Sequence, residues 1–179
     1  MTRNRLIAWL LAALASLGVA VVVVGGPAPR PSPTPNVTAS PSASASSACT
    51  PTDQVAFIYH PDRLKVLAPC IRAEGTIAAI RHEADGDLHI LLALDPAFAS
   101  LVNPANSGVE LGDLVVEPVC ERAVTQADAI AICATDKDPL DVSALVVGEH
   151  VWMTGRSVTD TDHGGWAELH PLFAFGALP

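Results

Sequence analysis

The stretch CIRAEGTIAAIRHEADGDLHILLALD, residues 70–95, carries the clearest structural pattern in the chain. In its first half, Cys70–Arg81, the odd positions Ile71, Ala73, Ile77 and Ala79 are apolar. Successive side chains of an extended strand point to opposite faces, so these four share one face. Gly75 interrupts the series and predicts a bend or bulge. Ala84-Asp85-Gly86-Asp87 predicts a turn, because Asp-Gly accepts the positive-φ backbone that a tight hairpin needs. The return strand, Leu88–Asp95, sets Leu88, Ile90, Leu92 and Leu94 inward and His89, Leu91, Ala93 and Asp95 the other way. The stretch therefore reads as a β-hairpin with one apolar face.

The rest of the chain extends this sheet. Residues 96–112 read as a loop with one helical turn near 97–101, given Pro96, Asn103, Pro104, Asn106 and Gly108. Asp113–Cys120 reads as a third strand, at an edge or bulge because of Pro118. Residues 125–134 read as a short helix, with Thr125 and Asp128 at capping-box spacing. Glu149–Val158 and Trp166–Phe175 read as strands four and five, joined through a hairpin loop at 160–165. The order strand, strand, strand, helix, strand, strand is that of an OB-like five-stranded Greek-key barrel with one short helix. An antiparallel sandwich is the alternative. Upstream, residues 53–69 are mixed, and predict a short strand or helix packed on the domain.

Further toward the N-terminus the character changes. Residues 6–24 contain no charge and are almost wholly apolar, after Arg3 and Arg5. At about 1.5 Å per residue such a run matches the roughly 30 Å hydrocarbon core of a bilayer. It is expected to be a transmembrane helix or uncleaved signal anchor, with the basic tail, residues 1–5, in the cytoplasm. A cleaved signal peptide is the rival reading, with Ala13-Leu14-Ala15 as its small-x-small site. Residues 25–52 are rich in Pro, Ser and Ala and read as a disordered linker, which places residues 53–179 outside the cell membrane on a single-pass tether. Four cysteines, Cys49, Cys70, Cys120 and Cys133, suit two disulfides in that oxidising compartment. Three pairings are open, one of them Cys49–Cys70 with Cys120–Cys133. All 19 acidic residues lie at or after Asp53, against seven of the ten basic ones, a net charge of −12 with histidine neutral. Such a surface repels phosphate backbones and disfavours nucleic acid as a partner.

The elements Gly75-Thr76-Ile77, Asp85-Gly86-Asp87-x-His89, Val151-x-x-Thr154-Gly155 and His163-Gly164-Gly165-Trp166-x-Glu168-Leu169-His170-Pro171 resemble a group of bacterial membrane-anchored or secreted OB-like domains. The resemblance spans about residues 70–175, and the last block is its most specific part. It implies a fold and an address, not a chemistry. Asp85-Gly86-Asp87 with Asp95-Pro96 also resembles the thermonuclease family, itself an OB fold. There aspartates hold calcium and arginines neutralise the phosphate. This chain departs from that pattern. No arginine lies between Asp87 and Asp95, Leu88 replaces the family's threonine, and no glutamate directly follows Asp95-Pro96.

Two constellations remain. Trp166, Glu168 and His170 alternate on one face of the fifth strand, with His163 in the adjoining loop and His89 on the outer face of strand two. His89, His163, Glu168 and His170 together have the donor types for zinc or copper, although no two histidines have tight ligand spacing. The plainer expectation is that Glu168 and His170 bond to each other and fix the end of the sheet. Trp152, Arg156 and Trp166 are candidates to stack a sugar or base, against the plainer expectation that they cover the open barrel mouth or pack under the Asp53–Pro69 segment. The sequence lacks G-x-S-x-G, a P-loop, H-E-x-x-H and C-x-x-C. The chain thus reads as a binding or interaction module for a cell-envelope component or small ligand rather than an enzyme, with no required cofactor. Its alternative is a zinc- or copper-binding protein.

Overall fold

In the computed structural model, β1 (Leu64–His82) runs for 19 residues and serves two neighbours. Its later part, Gly75–His82, pairs antiparallel with β2 (Leu88–Leu94). Its earlier part, Leu64–Thr76, pairs antiparallel with β4 (His150–Asp160). At Gly75 both ladders overlap, with Leu94 on one side and Val151 on the other. A Cβ there would lie 2.3 Å from the Ala93 carbonyl oxygen, so only glycine permits the approach. The register shift itself falls between Ile77 and Ala79, not at Gly75. The extra residue changes the face that follows, and Ile80 rather than Ala79 packs on the core.

The structure describes residues 49–136 and 138–179. The expected basic tail (1–5), transmembrane helix (6–24) and linker residues 25–48 lie outside the described residues. Among those described, no helix is long and apolar enough to cross a membrane. The protein here is mainly β, with one short helix. Five strands close into a ring in the order β1-β2-β3-β5-β4, where β3 is Leu114–Val116 and β5 is Trp166–Ala177. β3 and β5 run parallel, and every other pair is antiparallel. Ile77, Ile90, Leu92, Val116, Met153 and Leu169 fill the interior. Each such side chain stabilises the fold by about 1.5–3 kcal/mol.

Several boundaries differ from the sequence-based expectation. β3 ends at Val116 rather than Cys120, because Pro118 has no N–H for a ladder. The helix α1 is only Ile130–Cys133. The N–H groups of Thr125 and Gln126 both donate to Ala84 O, which ties residues 125–126 to the β1–β2 turn. Residues 53–63 hold two 3₁₀ turns, Asp53–Phe57 and Pro61–Arg63, and β1 begins directly after them. The first turn covers a second small cluster of Ile58, Leu64, Val119 and Val158. The turn at Gly86 has the expected positive φ, of 100°. Both disulfides form, Cys49–Cys70 and Cys120–Cys133, which selects one of the three pairings.

Candidate functional site

β2, β3 and β5 are neighbours, with Leu91 opposite Val115 and Val115 opposite Glu168. Ile90, Val116 and Leu169 point into the ring. Strand alternation then sends His89, Glu117, Glu168 and His170 to the other face. On an ordinary antiparallel sheet that face meets water. Here all four side chains are buried, as are Asp87 and Glu110. Buried charge is costly unless it is paired, so the pairing is the informative feature.

Glu117 is the bridge. Its Oε1 accepts from His89 Nδ1 at 2.9 Å, and its Oε2 lies 2.7 Å from His170 Nδ1. The other nitrogen of His89, Nε2, donates to Glu110 Oε2 at 2.9 Å. With carboxylates at both nitrogens, His89 is held as the doubly protonated imidazolium. His170 Nδ1 also donates to Glu168 Oε2 at 3.2 Å, and Trp166 Nε1 donates to Glu168 Oε1. Asp87 Oδ1 accepts from Cys120 N at 2.8 Å, which fixes the carboxylate. Its Oδ2 faces His170 Nε2 at 3.8 Å, beyond hydrogen-bond reach, and neither atom has a hydrogen-bond partner.

The electrostatics follow from this geometry. Burial alone would lower the His170 pKa, but the Glu117 carboxylate, with Glu168, raises it to about 10. His89 behaves alike, and Glu117 and Glu110 lift it to about 9 against its own burial. Burial would raise the Glu117 carboxyl, yet the charge of His170 and the bonds from both imidazoles hold it well below the usual carboxylate range. Asp87 goes the other way. Burial pushes it to about 7, and the charge of His170 offsets this only in part.

A half-open cleft of about 430 Å³ reaches this chain of groups from the surface. The β1–β2 turn forms one wall through Glu83, Ala84 and Asp85, and the β4–β5 loop forms another through Asp162 and His163. Tyr59 and His60 stand at its rim, and His89, Glu110 and Glu117 line it as well. Asp160 organises the β4–β5 loop. Its Oδ1 accepts from the N–H groups of Asp162 and His163, while Oδ2 pairs with Arg63 and with His163 Nδ1. The His163 ring stacks on Trp166 at 5.0 Å between centroids, and Trp166 meets His89 edge-on at 5.9 Å. Arg81, which lines the cleft and is nearly half exposed, has its Nη1 3.5 Å from Glu110 Oε2.

The residues expected from sequence are only partly brought together. Glu168 and His170 bond to each other, as the plainer expectation has it. His89 joins them through Glu117, whereas His163 turns to Asp160 and Trp166. The donor atoms that do converge belong to Asp87, Glu117 and His170, all within 4.8 Å of one another. Of the expected stacking set, Trp166 lines the cleft. Trp152 lies opposite Gly176, eight residues along β4 from Asp160, the residue paired with Trp166, and there Arg72 covers its ring at 4.8 Å. Arg156 Nε donates to His170 O at 3.1 Å, which ties it to β5. Sequence reading missed Glu110 and Glu117, and it weighed Asp87 only in the thermonuclease comparison, outside the histidine set. Glu117 had a visible signal, as the only charged residue in the apolar run Leu114–Val119. Asp87 was masked by its place in a hairpin turn, and Glu110 by its place in a loop. No family model matches this chain, and no curated protein matches it.

Proposed function

We propose that the chain is a membrane-tethered, extracytoplasmic OB-like domain that binds a small polar ligand of neutral or positive charge in the cleft beside Trp166. One observation carries the reading: the cleft sits between the β1–β2 turn and the β4–β5 loop, over the outer face of β2 at His89 and beside Glu117, just past the end of β3. That is where OB folds bind their ligands. The ring order β1-β2-β3-β5-β4 with parallel β3 and β5 supports the OB assignment, and so does the shared, bent β1. The HGGWxELHP block supports membership of the bacterial OB-like group, and it supplies Trp166 and His163 to the cleft.

The ligand class follows from the lining. Five carboxylates (Glu83, Asp85, Glu110, Glu117 and Asp162) outnumber the two arginines, Arg63 and Arg81. Polyanions are repelled by this balance, while amines and hydroxyl-rich compounds find acceptors and an aromatic wall. Two disulfides and the apolar run at 6–24 support the extracytoplasmic, single-pass address. A soluble envelope component carrying such a group would be a natural partner. The test is a thermal-shift screen of small amines, sugars and short oligonucleotides against the full-length chain and its Trp166→Ala variant. An amine or sugar should raise the wild-type Tm and leave the variant unmoved. Salt-sensitive binding of an oligonucleotide, or binding indifferent to Trp166, would refute the reading.

A further inference from the structure

Residues 64–73 of β1 pair with β4 on one side and, among the described residues, with no strand on the other, because β2 joins only from Gly75. Register shifts between Val66 and Ala68 and between Ala68 and Ile71 interrupt even the β4 ladder. Val66 and Leu67 are neighbours on this edge, and both are exposed, at 50% and 56%. Lys65 and Pro69 beside them are exposed as well. No carboxylate lies between Asp62 and Glu74, whereas three of the seven basic residues at or after Asp53 do: Arg63, Lys65 and Arg72. The β4 residues opposite, Ser157, Val158 and Thr159, are uncharged. Arg63 is taken by Asp160 and Arg72 by Glu74, which leaves Lys65 as the cation beside Val66 and Leu67. The other exposed apolar side chains stand among acids. Val109 and Leu111 flank Glu110, Ile130 follows Asp128, and Val146 and Val147 precede Glu149. The Cys49–Cys70 disulfide fixes the incoming chain at this same edge, where Cys49 Sγ lies 3.3 Å from Ile71 O.

We propose that the Lys65–Pro69 edge of β1 docks on the phospholipid surface of the membrane that residues 6–24 are expected to cross. The inference rests on the tethered reading above. Val66 and Leu67 enter the headgroup boundary, and Lys65 meets lipid phosphate. Two apolar side chains are too little to hold a free protein on a bilayer. Here 24 residues separate Val24, the end of the apolar run, from Cys49. A linker of that length makes the contact intramolecular, at an effective concentration on the order of millimolar, so a weak patch suffices. Charge sets the orientation. The domain carries a net −12, and its acids lie away from this stretch of β1. Anionic headgroups repel the acidic faces and leave the Lys65 edge toward the lipid.

The test embeds the full-length chain, with disulfides formed and methyl groups isotope-labelled, at one copy per nanodisc of phosphatidylcholine and phosphatidylglycerol. A trace of lipid with a gadolinium chelate on its headgroup speeds the relaxation of nearby methyls. Val66 and Leu67 should relax several-fold faster than Val109, Leu111, Val146 and Val147, which are also more than half exposed. Lys65→Gln with Leu67→Thr removes the cation and one apolar side chain, and threonine suits a strand. Unchanged core signals from Ile77 and Leu92 check that the double variant folds. In it the enhancement at Val66 should fall to the level of the four comparison residues. Uniform enhancement, a maximum at any of those four, or an unchanged Val66 in the folded variant would overturn the proposal. So would Val66 signals that move with protein concentration in lipid-free detergent, which assign the edge to a second copy. A full-length chain that does not float with liposomes refutes the tether and this docking with it. A chain that floats but shows uniform enhancement refutes the docking alone.

Discussion

Replacing Glu117 by glutamine tests the buried network at its centre. Glu117 is 7% exposed and holds two imidazoles, His89 at 2.9 Å and His170 at 2.7 Å. An amide has nearly the same shape but only one acceptor atom. One imidazole N–H would keep a partner, and the other would face an NH₂ group. Each hydrogen bond to a charged group contributes about 1.5–3 kcal/mol. Breaking a buried ion pair from one side costs about 3–5 kcal/mol, because the partner charge stays buried. Glu117→Gln should therefore destabilise the protein by about 3–5 kcal/mol at pH 7. Urea unfolding followed by tryptophan emission measures this, since Trp166 packs on the same network. The control is Glu74→Gln, which breaks the partly exposed Arg72–Glu74 pair and should cost about 1 kcal/mol or less. A loss for Glu117→Gln no larger than that of the control would refute the network as described.

Other consequences are simpler to check. Burial raises Glu121 to about 7, and its Oε1 has no hydrogen-bond partner. Its folded pKa exceeds its unfolded value, so its contribution to stability is complete below the ordinary glutamate range and is lost as pH rises through about 7. Glu121→Gln should then raise Tm more at pH 8 than at pH 5; an equal shift at both would count against this account. Gly75→Ala places a methyl 2.3 Å from the Ala93 carbonyl oxygen, and should cost about 3 kcal/mol or more in a denaturant titration. Cys120 and Cys133 close a loop with a sequence separation of 13, so the double serine variant should lose about 3 kcal/mol by the same measurement.

Features that depend on local pattern are legible in the amino-acid order alone. Period-two alternation in residues 70–95 carries the β1–β2 hairpin, because a strand with one buried face must alternate. Asp85-Gly86 marks the turn, because a positive φ is costly for most other residues. The same alternation placed Glu168 and His170 on one face of β5. What that face meets depends on how the strands close around it. Closure of the ring lays β3 beside β5 and so sets Glu117 between His89 and His170, a contact across residues 89, 117 and 170 that no local spacing encodes. The bulge between Ile77 and Ala79 could not be read locally either, since it answers to pairing with β2. Trp152 and Trp166 look alike in sequence, but register sets Trp152 opposite Gly176 and Trp166 opposite Asp160, near the two ends of the β4–β5 ladder, one under Arg72 and one in the cleft. Asp87 belongs to a turn in sequence and to the buried network in space, because the fold brings Cys120 and His170 against it. Pattern shows which way a side chain points; closure of the chain in three dimensions sets which charges must then neutralise one another.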